Sequence, residues 1–542
     1  MTAPVATASA TGAAGGAAAS SVYNAAADLL ERNLPARASK TAFVDDLGAI
    51  AYGELARRVD RAGGALRALG LEAENRVVLG LLDTIDFPTV FLGAIKAGIV
   101  PIPVNTLFPA LDYAYILDDS RAKAAVVSLE LLPQFEDAAR QANWGGTIVV
   151  SDPRGAYAGA WPRLQALLDD ATPLPEAART RPDDVCFWLY SSGSTGKPKG
   201  TVHVHTSLIA TAELFAQAVL GFAESDVVFS AAKLFFAYGL GNALTFPLAV
   251  GATSVLHAGR ATPDAVIDVL RRERATIFCG VPTLFGALLV QPNFPARGEL
   301  ALRLCTSAGE VLPEELGKSW TQRTGVEIID GIGSTEMLHI FVSNRPGAVR
   351  YGTTGRPVPG YRARIVDERG AEAEAGEIGE LEVSGPTAAA YYWNNREKSR
   401  RTFAGEWTRT GDKFRVDADG NYVHCGRADD MLKVGGIWVS PTEVESALAA
   451  HEHVLECAVI GVADESELIK PKAFVVLKHG LAGDDALRDA LKAHVKSRLA
   501  PYKYPRWIAF VDELPKTATG KIQRHVLRAR EDAARAENAA GA

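Results

Sequence analysis

The chain carries at residues 190–200 the stretch Tyr-Ser-Ser-Gly-Ser-Thr-Gly-Lys-Pro-Lys-Gly, and this stretch decides its fold class. It follows the apolar run at 185–190, which the pattern predicts to be a buried strand. Glycines after a strand let backbone N–H groups approach a phosphate closely, because no Cβ intervenes. The hydroxyls add hydrogen-bond donors and the two lysines add positive charge. The composition therefore indicates a loop that handles a nucleotide polyphosphate.

This stretch, called the phosphate loop below, is not a Walker A motif. That motif needs four residues between its first glycine and its Gly-Lys pair, and it opens a helix. Here only two residues separate Gly193 from Gly196-Lys197, and Pro198 disfavours helix at Lys197. Taken alone, the stretch is equally compatible with a flexible surface loop.

The rest of the chain up to about residue 350 alternates between strand-like apolar runs and helix-like periodic segments. This alternation predicts an α/β fold whose large N-terminal domain contains parallel or mixed sheets covered by helices. Helices are predicted at 22–37, 52–69 and 86–98, the second ending at Gly70. Strands are predicted at 42–46, 49–52, 76–82, 99–104, 124–128, 147–151, 185–190, 227–230, 253–256, 277–280, 302–307 and 327–330.

Three boundaries divide the predicted chain. Residues 1–21, rich in Ala, Thr, Gly and Ser, are expected to be a disordered tail. Residues 22–427 form the N-terminal domain, in which short strands such as 362–367 and 380–383 indicate a small β-rich subdomain at about 350–427. Residues 428–542 contain strands at 454–461 and 472–477 and a helix near 484–499, which predict a compact C-terminal α+β domain.

Composition limits the function classes. The chain has 542 residues, 48% of them hydrophobic and 22% charged, so it can bury a large core. Its net charge of −7 and the lack of a basic patch argue against a nucleic-acid partner. No apolar run reaches the roughly 18 residues of a spanning helix, so we expect no membrane partner. The five cysteines form no C-x-x-C pair, which favours a reducing cytoplasm. The sequence does not decide the oligomeric state, and a homodimer is compatible with it.

Further motifs follow the phosphate loop in a definite order. They are Ile332-Gly333-Ser334-Thr335-Glu336, Gly376-Glu377-Ile378-Gly379-Glu380-Leu381 with Gly385-Pro386, Thr410-Gly411-Asp412, Gly426-Arg427-Ala428-Asp429-Asp430-Met431-Leu432-Lys433, and Pro515-Lys516-Thr517-Ala518-Thr519-Gly520-Lys521-Ile522. In this order they resemble the adenylate-forming superfamily of acyl-CoA synthetases, luciferases and the adenylation domains of peptide synthetases. The resemblance spans roughly residues 185–525. Ile332 departs from it, because the superfamily usually has an aromatic residue there that stacks on adenine.

Two segments are most similar to the benzoate–CoA ligase family of aryl-CoA ligases. They are residues 233–242, Lys-Leu-Phe-Phe-Ala-Tyr-Gly-Leu-Gly-Asn, and residues 330–340, Asp-Gly-Ile-Gly-Ser-Thr-Glu-Met-Leu-His-Ile. The resemblance implies an ATP-dependent ligation of a small aromatic acid to coenzyme A through an acyl-adenylate, with AMP and pyrophosphate as the other products.

The resemblance also implies roles on the nucleotide side. Lys521 would bridge the acid carboxylate and the α-phosphate as a point charge, Glu336 would coordinate Mg²⁺, and Thr335 would donate to the α-phosphate. Asp412 would accept from the ribose hydroxyls, and Arg427 would lie near the ribose and the hinge. The remaining nucleotide candidates are Ser191, Ser192, Gly193, Ser194, Thr195, Gly196, Lys197, Glu310, Asp330, Gly331 and Ile332.

Thioester formation needs a second arrangement. The resemblance implies a mobile C-terminal domain that pivots at Asp429 and opens a tunnel for the coenzyme A thiol. Gly435 and Gly436 would let the backbone approach that tunnel, and Lys433 would contact the acid side.

The acid pocket is expected to combine aromatic walls with small residues, as suits a flat ring. His339 is interpreted as a ring that fills the floor of the pocket and not as a catalytic base. The candidates are Phe236, Ala237, Tyr238, Ala308, Gly309, Gly331, Ile332, Gly333, His339 and Ile340.

Three alternatives stay open at this point. The acid could be 4-hydroxybenzoate, 2-aminobenzoate, cyclohexanecarboxylate or a medium-chain fatty acid. The acceptor could be a carrier protein instead of free coenzyme A. The chain could also bind a nucleotide without catalysis, which the retention of Thr335, Glu336, Asp412, Lys433 and Lys521 disfavours.

Overall fold

The computed structural model describes residues 22–193, 196–428, 430–434, 437–464, 468–478, 480–516 and 522–540. Several predicted features lie outside these described residues. They are the tail at 1–21, Ser194, Thr195, the hinge residue Asp429, Gly435, Gly436 and Lys521.

The main sheet is mixed and has nine strands. Its central strands are short apolar runs such as Ile277–Gly280, buried along their whole length, as expected for parallel strands covered on both faces. The pairs from Thr41–Asp45 to Ile328–Gly333 are parallel, and the end strands are antiparallel. The order across the sheet is Arg356–Pro357, Ile340–Ser343, Ile328–Gly333, Leu304–Ser307, Ile277–Gly280, Val227–Ser230, Thr253–Val255, Thr41–Asp45 and Gly48–Ala51.

A second sheet is parallel throughout and confirms the predicted alternation. Its four strands, in spatial order, are Val100–Pro103, Arg76–Gly80, Ala124–Ser128 and Thr147–Ser151. The helix Tyr52–Ala68 packs nearby and is followed by Gly70 at a φ of +83°, the left-handed stop that the sequence indicated. The predicted helix at 22–37 was too long, since the structure has only Ala25–Glu31, capped by Asn24. Pro35 lacks the N–H that a longer helix would use.

The phosphate loop lies in a sheet of its own. The strand predicted at 185–190 is antiparallel to its neighbour, although the alternation of strands and helices in which it stands is typical of parallel strands. The strand extends over Val185–Gly193 and pairs antiparallel with Gly196–Val204, so the described residues of the loop belong to two antiparallel strands, called the phosphate-loop hairpin below. The third strand of this phosphate-loop sheet is Tyr391–Tyr392, which pairs antiparallel with Gly196–Val204. Pro198 agrees with this extended backbone, because the residue before a proline avoids the helical region.

A β-rich sheet follows the main sheet in the chain. Its five strands are Arg362–Val366, Gly379–Ser384, Phe403–Ala404, Trp407–Val416 and Tyr422–Arg427. Two short strands from the same part of the sequence pair elsewhere: Arg356–Pro357 ends the main sheet and Tyr391–Tyr392 joins the phosphate-loop sheet. Residues 350–427 therefore contribute to three sheets.

The C-terminal part has its own sheets and apolar clusters. The hairpin Leu432–Val434 and Ile437–Val439 precedes a three-stranded sheet of Val454–Ala463, Ile469–Leu477 and Trp507–Phe510. Arg524 lies in an ion-pair network, with Nη2 2.6 Å from Glu445 Oε2 and Nη1 3.8 Å from Asp430 Oδ2. Asp430 adjoins the predicted hinge residue Asp429 in the sequence, and Glu445 lies on the helix Pro441–Ala449.

The helices cover the sheets and bury apolar faces against them. Among the residues described, every helix is too short or too polar to cross a lipid bilayer. The α-helices are Ala25–Glu31, Tyr52–Ala68, Asp86–Lys96, Ala110–Ser120, Leu132–Gln141, Leu164–Asp170, His205–Thr211, Ala237–Leu240, Phe246–Val250, Pro263–Arg272, Pro282–Leu289, Glu314–Thr324, Arg396–Thr402, Pro441–Ala449, Asp485–Arg498 and Arg524–Ala540. Two π-helical turns, Ala212–Gln217 and Gly241–Thr245, adjoin them.

Candidate active site

The candidate site lies at the carboxyl edge of the main sheet. The strands Val227–Ser230, Leu304–Ser307 and Ile328–Gly333 belong to its parallel part, so their carboxyl ends lie at the same edge. In open α/β sheets, ligands bind outside this edge. The segments that follow these strands carry most of the acid-pocket candidates predicted from the sequence.

One hairpin carries candidates for both halves of the site. The strand Ile328–Gly333 turns at its end and returns as Ile340–Ser343, with Gly333 opposite Ile340. The tip, residues 334–339, contains the single 3₁₀ turn Thr335–Met337, which Ser334 caps by accepting a hydrogen bond from Met337 N–H at 3.2 Å. We call this element the 328–343 hairpin. It holds Thr335 and Glu336 at its tip and acid-pocket candidates on both strands.

The acid-pocket candidates Tyr238, Ala308, Ile332 and Ile340 pack in one apolar cluster. Tyr238 Oη shares a hydrogen bond of 2.7 Å with Thr306 Oγ1, on the strand that leads to Ala308. Gly309, which follows, has a φ of +90°. The remaining candidates lie on neighbouring segments. Gly331 and Gly333 belong to the strand Ile328–Gly333, the Phe236 ring packs on Phe235 with centroids 4.3 Å apart, and Ala237 packs against a second apolar cluster.

His339 is buried at the base of the 328–343 hairpin tip. Its ring lies 4.6 Å from the ring of Phe246 and 5.5 Å from the rings of both Phe215 and Tyr238, measured between centroids. Burial lowers the pKa of His339 to about 3, although a hydrogen bond to the Tyr238 carbonyl opposes the shift. The imidazole is therefore neutral at physiological pH. A neutral ring enclosed by three aromatic rings suits a wall of a pocket better than a proton carrier.

Two polar residues of the phosphate-loop hairpin, Lys197 and Ser191, lie near the end where its two strands meet. Lys197 is exposed, with Nζ 4.8 Å from the ring centroid of Tyr115. Ser191 lies opposite Lys199 across the hairpin, and its buried Oγ has no hydrogen-bond partner among the described residues. Gly193 pairs with Gly196 across the hairpin, and Ser192 lies at an irregularity of the pairing between Ser191 and Gly193.

Glu336 is held by two groups that were not among the predicted site residues. Tyr392 donates a hydrogen bond from Oη to Glu336 Oε1 at 2.7 Å. Lys199 places Nζ 4.0 Å from the same oxygen and 4.5 Å from the ring centroid of Tyr392. Burial lowers the pKa of Lys199, and the Glu336 carboxylate opposes that shift.

His203 connects the phosphate-loop sheet to the tip of the 328–343 hairpin. Its Nε2 lies 2.8 Å from the carbonyl oxygen of Thr335, to which it donates, and its ring stacks on Phe187 with centroids 5.2 Å apart. Burial lowers the pKa of His203 to about 4, so the ring is neutral. Lys199 and His203 share one face of their strand, since side chains alternate along it.

Asp412 pairs with Arg427 across two strands of the β-rich sheet. Arg427 Nη1 donates to Asp412 Oδ1 at 3.0 Å, and His424 Nε2 lies 3.6 Å from the same oxygen. Burial alone would raise the pKa of Asp412, but His424 and Arg427 outweigh it and lower the pKa. The carboxylate is thus ionised and can accept hydrogen bonds from vicinal hydroxyls.

Other predicted nucleotide candidates lie beside the sheet edge. Asp330 is buried opposite Ser307, burial raises the pKa of its carboxyl, and its Oδ1 has no partner among the described residues. Glu310 follows the strand Leu304–Ser307. Ile332 is half-buried against the apolar cluster around Tyr238.

A Mg²⁺ ion fits Glu336 on chemical grounds. Within the described ranges, no three His, Cys, Asp or Glu side chains converge to hold a metal. Mg²⁺ is commonly bound by one or two carboxylates together with substrate phosphates and water. Glu336 is 18% exposed, and its Oε2 accepts no hydrogen bond from the described residues. One carboxylate oxygen is therefore available near the phosphate loop.

Two family models match this chain. The AMP-binding enzyme model covers residues 30–393, and the model of the AMP-binding enzyme C-terminal domain covers residues 443–521. The chain belongs to the AMP-binding enzyme family.

Named relatives of this AMP-binding enzyme are similar over almost their whole length. The benzoate–CoA ligase of Thauera aromatica is 62% identical over 509 residues, which are 93% of this chain and 96% of the relative. A 4-hydroxybenzoate–CoA/benzoate–CoA ligase of Rhodopseudomonas palustris is 51% identical over 93% of this chain and 94% of the relative. The crystal structure of a benzoate CoA ligase from Burkholderia xenovorans superposes with a TM-score of 0.88 at 55% identity, covering 93% of this chain and 100% of that one. The α/β fold predicted from the sequence is confirmed.

Lys199, His203, Tyr392 and His424 of the AMP-binding enzyme are among the side chains that contact predicted site residues and that sequence reasoning missed. Lys199 belongs to the phosphate loop, but nothing in its spacing indicates that it faces Glu336. His203 could have been suspected, because it lies four residues beyond Lys199 on a strand and so shares its face. Tyr392 and His424 had no local signal, since their partners are distant in sequence.

Proposed function

We propose that this enzyme ligates benzoate to coenzyme A through a benzoyl-adenylate, giving benzoyl-CoA, AMP and pyrophosphate. The observation that carries the proposal is the 62% identity, over 93% of the chain, to a benzoate–CoA ligase. The chain is then an AMP-forming acid–thiol ligase. It uses ATP and coenzyme A as co-substrates and works in the cytoplasm, without a nucleic-acid or membrane partner.

In the first half-reaction a benzoate oxygen attacks the α-phosphorus of ATP, and pyrophosphate leaves. The main obstacle is that two anions must meet, so the enzyme must place positive charge and hydrogen-bond donors where the negative charge collects. We assign this role to Lys521 and to the hydroxyl of Thr335. Glu336 would hold Mg²⁺, which supplies positive charge to the phosphate oxygens. No side chain needs to act as a base, because benzoate is already ionised.

The rest of the nucleotide is assigned to the groups around the sheet edge. The phosphate-loop hairpin would bind the β- and γ-phosphates through its backbone N–H groups, its hydroxyls and Lys197. The ionised Asp412 would accept from the ribose hydroxyls, since the pairing with Arg427 occupies only Oδ1. We place adenine beside Ile332, without the stacking that an aromatic residue would give.

In the second half-reaction the coenzyme A thiol attacks the carbonyl carbon, its proton is released and AMP leaves. We propose that the residues after Asp429 rotate between the two half-reactions, so that Lys521 leaves the site. The backbone at Gly435 and Gly436 would then border the thiol tunnel, and Lys433 would contact the acid side. A proline at the pivot would restrict this rotation, so Asp429→Pro is expected to abolish thioester formation and to spare adenylate formation. An equal loss of both half-reactions would contradict the pivot.

The apolar cluster around Tyr238, Ala308, Ile332 and Ile340, closed by the neutral ring of His339, is assigned to the phenyl ring of benzoate. A flat ring suits a pocket with aromatic walls and few polar groups. One methyl-sized group in such a pocket changes binding by only about 1–3 kcal/mol. Fluorobenzoates should therefore react, whereas bulky para substituents should be disfavoured.

The test is pyrophosphate release from Mg·ATP across a panel of acids, each measured with and without coenzyme A. We expect continuous, coenzyme A-dependent turnover with the highest kcat/KM for benzoate. A tenfold preference for 4-hydroxybenzoate or a medium-chain fatty acid would overturn the assignment of the acid. A single-turnover burst that coenzyme A does not change would indicate an enzyme that loads a carrier protein.

A further inference from the structure

Two side chains contact the same carboxylate oxygen of Glu336. Tyr392 Oη and Lys199 Nζ both approach Oε1, at 2.7 and 4.0 Å. Both side chains are withdrawn from solvent, since Tyr392 is only 3% exposed and the Lys199 side chain 19%. The other oxygen, Oε2, receives no hydrogen bond within the described part of the chain.

The segment that carries Tyr392 is fixed to both partners by the backbone. Ala389 N–H donates to the carbonyl of Glu336 at 2.7 Å, and Ala390 N–H donates to the carbonyl of Val202 at 2.9 Å. Tyr392 itself lies opposite Thr201 in the phosphate-loop sheet. The segment 389–392 therefore holds the tip of the 328–343 hairpin against the phosphate-loop strand.

The geometry favours a tyrosine that donates. Tyr392 Oη lies 2.7 Å from Glu336 Oε1, and a carboxylate oxygen can only accept, so the phenol supplies the proton of this hydrogen bond. Its hydroxyl thus donates one hydrogen bond to Oε1 and does not compete for a cation. The Lys199 ammonium stands over the ring face, where the negative face of the ring stabilises it.

We propose that Tyr392, supported by Lys199, is the positioning residue that aims Glu336 at a divalent cation. Binding Oε1 fixes the rotation of the carboxylate and leaves Oε2 as the metal ligand. Groups that hydrogen-bond a metal-ligating carboxylate orient it, and replacing them commonly costs 10- to 100-fold in metal affinity. The inference rests on the proposed nucleotide chemistry of this site but not on the identity of the acid.

The decisive measurement is how much a metal strengthens nucleotide binding. The affinity for α,β-methylene-ATP, whose α–β bridge cannot be cleaved, is measured by titration calorimetry with Mn²⁺ and again in EDTA. The dissociation constant in EDTA divided by the dissociation constant with Mn²⁺ gives the contribution of the metal to nucleotide binding. We expect Tyr392→Phe to reduce this ratio at least about tenfold and to leave the affinity in EDTA unchanged.

The matched control is Tyr391→Phe. Tyr391 is the next residue on the same strand, is 37% exposed and points to the opposite face. It should leave the ratio unchanged. Lys199→Met tests the same restraint from its other side and should reduce the ratio as well. Thermal unfolding of each variant reports whether the fold is intact.

Three outcomes separate the proposals. An unchanged or larger ratio in a folded Tyr392→Phe variant overturns the positioning role, whichever acid the enzyme uses. An equal loss of affinity with Mn²⁺ and in EDTA also overturns it, because it shows a general role in shaping the site. A reduced ratio in an enzyme that fails to activate benzoate would support the positioning role and overturn the acid assignment instead.

Discussion

Gly241→Ala is the substitution whose effect follows most directly from the structure. Gly241 begins the π-helical turn beside the acid pocket and has an ordinary helical φ of −62°. Alanine is therefore allowed by the backbone and favoured over glycine in a helix by about 1 kcal/mol. A Cβ at this position, however, would lie 2.4 Å from Cδ2 and 2.7 Å from Nε2 of His339. The His339 ring or the backbone at residue 241 must therefore move to make room for the alanine Cβ.

The His339 ring has little freedom to yield. The rings of Phe215, Tyr238 and Phe246 surround it, and the same Cβ would lie 3.1 Å from Phe246 Cζ. Adding a carbon to a packed core costs about 1–3 kcal/mol. The helical gain of alanine offsets part of this cost, so we expect a net loss of about 0–2 kcal/mol in the free energy of unfolding. Any movement of the ring into the acid pocket would also lower kcat/KM for benzoate, about tenfold for each 1.4 kcal/mol.

The matched control is Gly286→Ala in the helix Pro282–Leu289. A Cβ there meets only Leu316 Cδ1, at 3.9 Å, so the same chemical change should stabilise by up to about 1 kcal/mol and leave catalysis unaltered. Urea unfolding and benzoate-dependent pyrophosphate release are measured for both variants. A double-mutant cycle with His339→Ala should show a coupling of at least about 1 kcal/mol, since removing the ring makes room. If Gly241→Ala matched Gly286→Ala in stability and kcat/KM, the packing argument would be refuted.

Three further predictions follow from buried charges and rings. Glu445→Gln leaves the Arg524 guanidinium without its closest carboxylate, so it should lower the free energy of unfolding by about 3–5 kcal/mol. The loss is measured as a lower midpoint of urea unfolding, and an unchanged midpoint would show that the pair does not stabilise the fold. Asp412→Asn should raise KM for ATP about tenfold, because hydrogen bonds to an ionised group contribute about 1.5–3 kcal/mol. KM for benzoate should stay unchanged, and equal rises in both constants would contradict a contact between Asp412 and the ribose. His203 and His205 both have a folded-state pKa lowered to about 4 by burial, so their contribution to stability is complete above their unfolded pKa of 6.5. It should fall by up to about 1.4 kcal/mol per pH unit for each histidine as the pH drops from 6.5 towards 4, and His203→Gln should flatten this pH dependence.

The strands of the α/β core were predictable because each is a short apolar run between polar turns. Residues 124–128, 147–151, 227–230 and 277–280 were predicted with the bounds that the structure shows. The direction of the strand at 185–193 was not predictable from its composition, because a buried apolar run looks the same in a parallel and an antiparallel sheet. Its partner was hidden in the glycine-rich stretch, which was interpreted as a loop, although its residues from Gly196 onward form a strand.

Candidate site residues were predictable where they form local sequence motifs. Contacts between residues that are far apart in the sequence were not predictable. Thr335 and Glu336 stand in a motif of five residues, so the resemblance alone was enough to name them as candidates. Tyr392 reaches Glu336 across 56 positions of sequence. Neither hydrophobic periodicity nor spacing contains that information, because it depends on how the phosphate-loop sheet docks on the main sheet.

The 328–343 hairpin has a consequence for changing the substrate range of the enzyme. Its strands carry the proposed acid wall, at Ile332 and Ile340, and its tip carries Thr335 and Glu336. An acid that is too large would therefore strain the element that carries the proposed metal ligand, and discrimination would be visible in kcat as well as in KM. A redesign that replaces wall residues singly would disturb nucleotide activation. To accommodate a new acid, the whole hairpin should be exchanged as one unit. Tyr392 and His203, which contact its tip, should be exchanged with it.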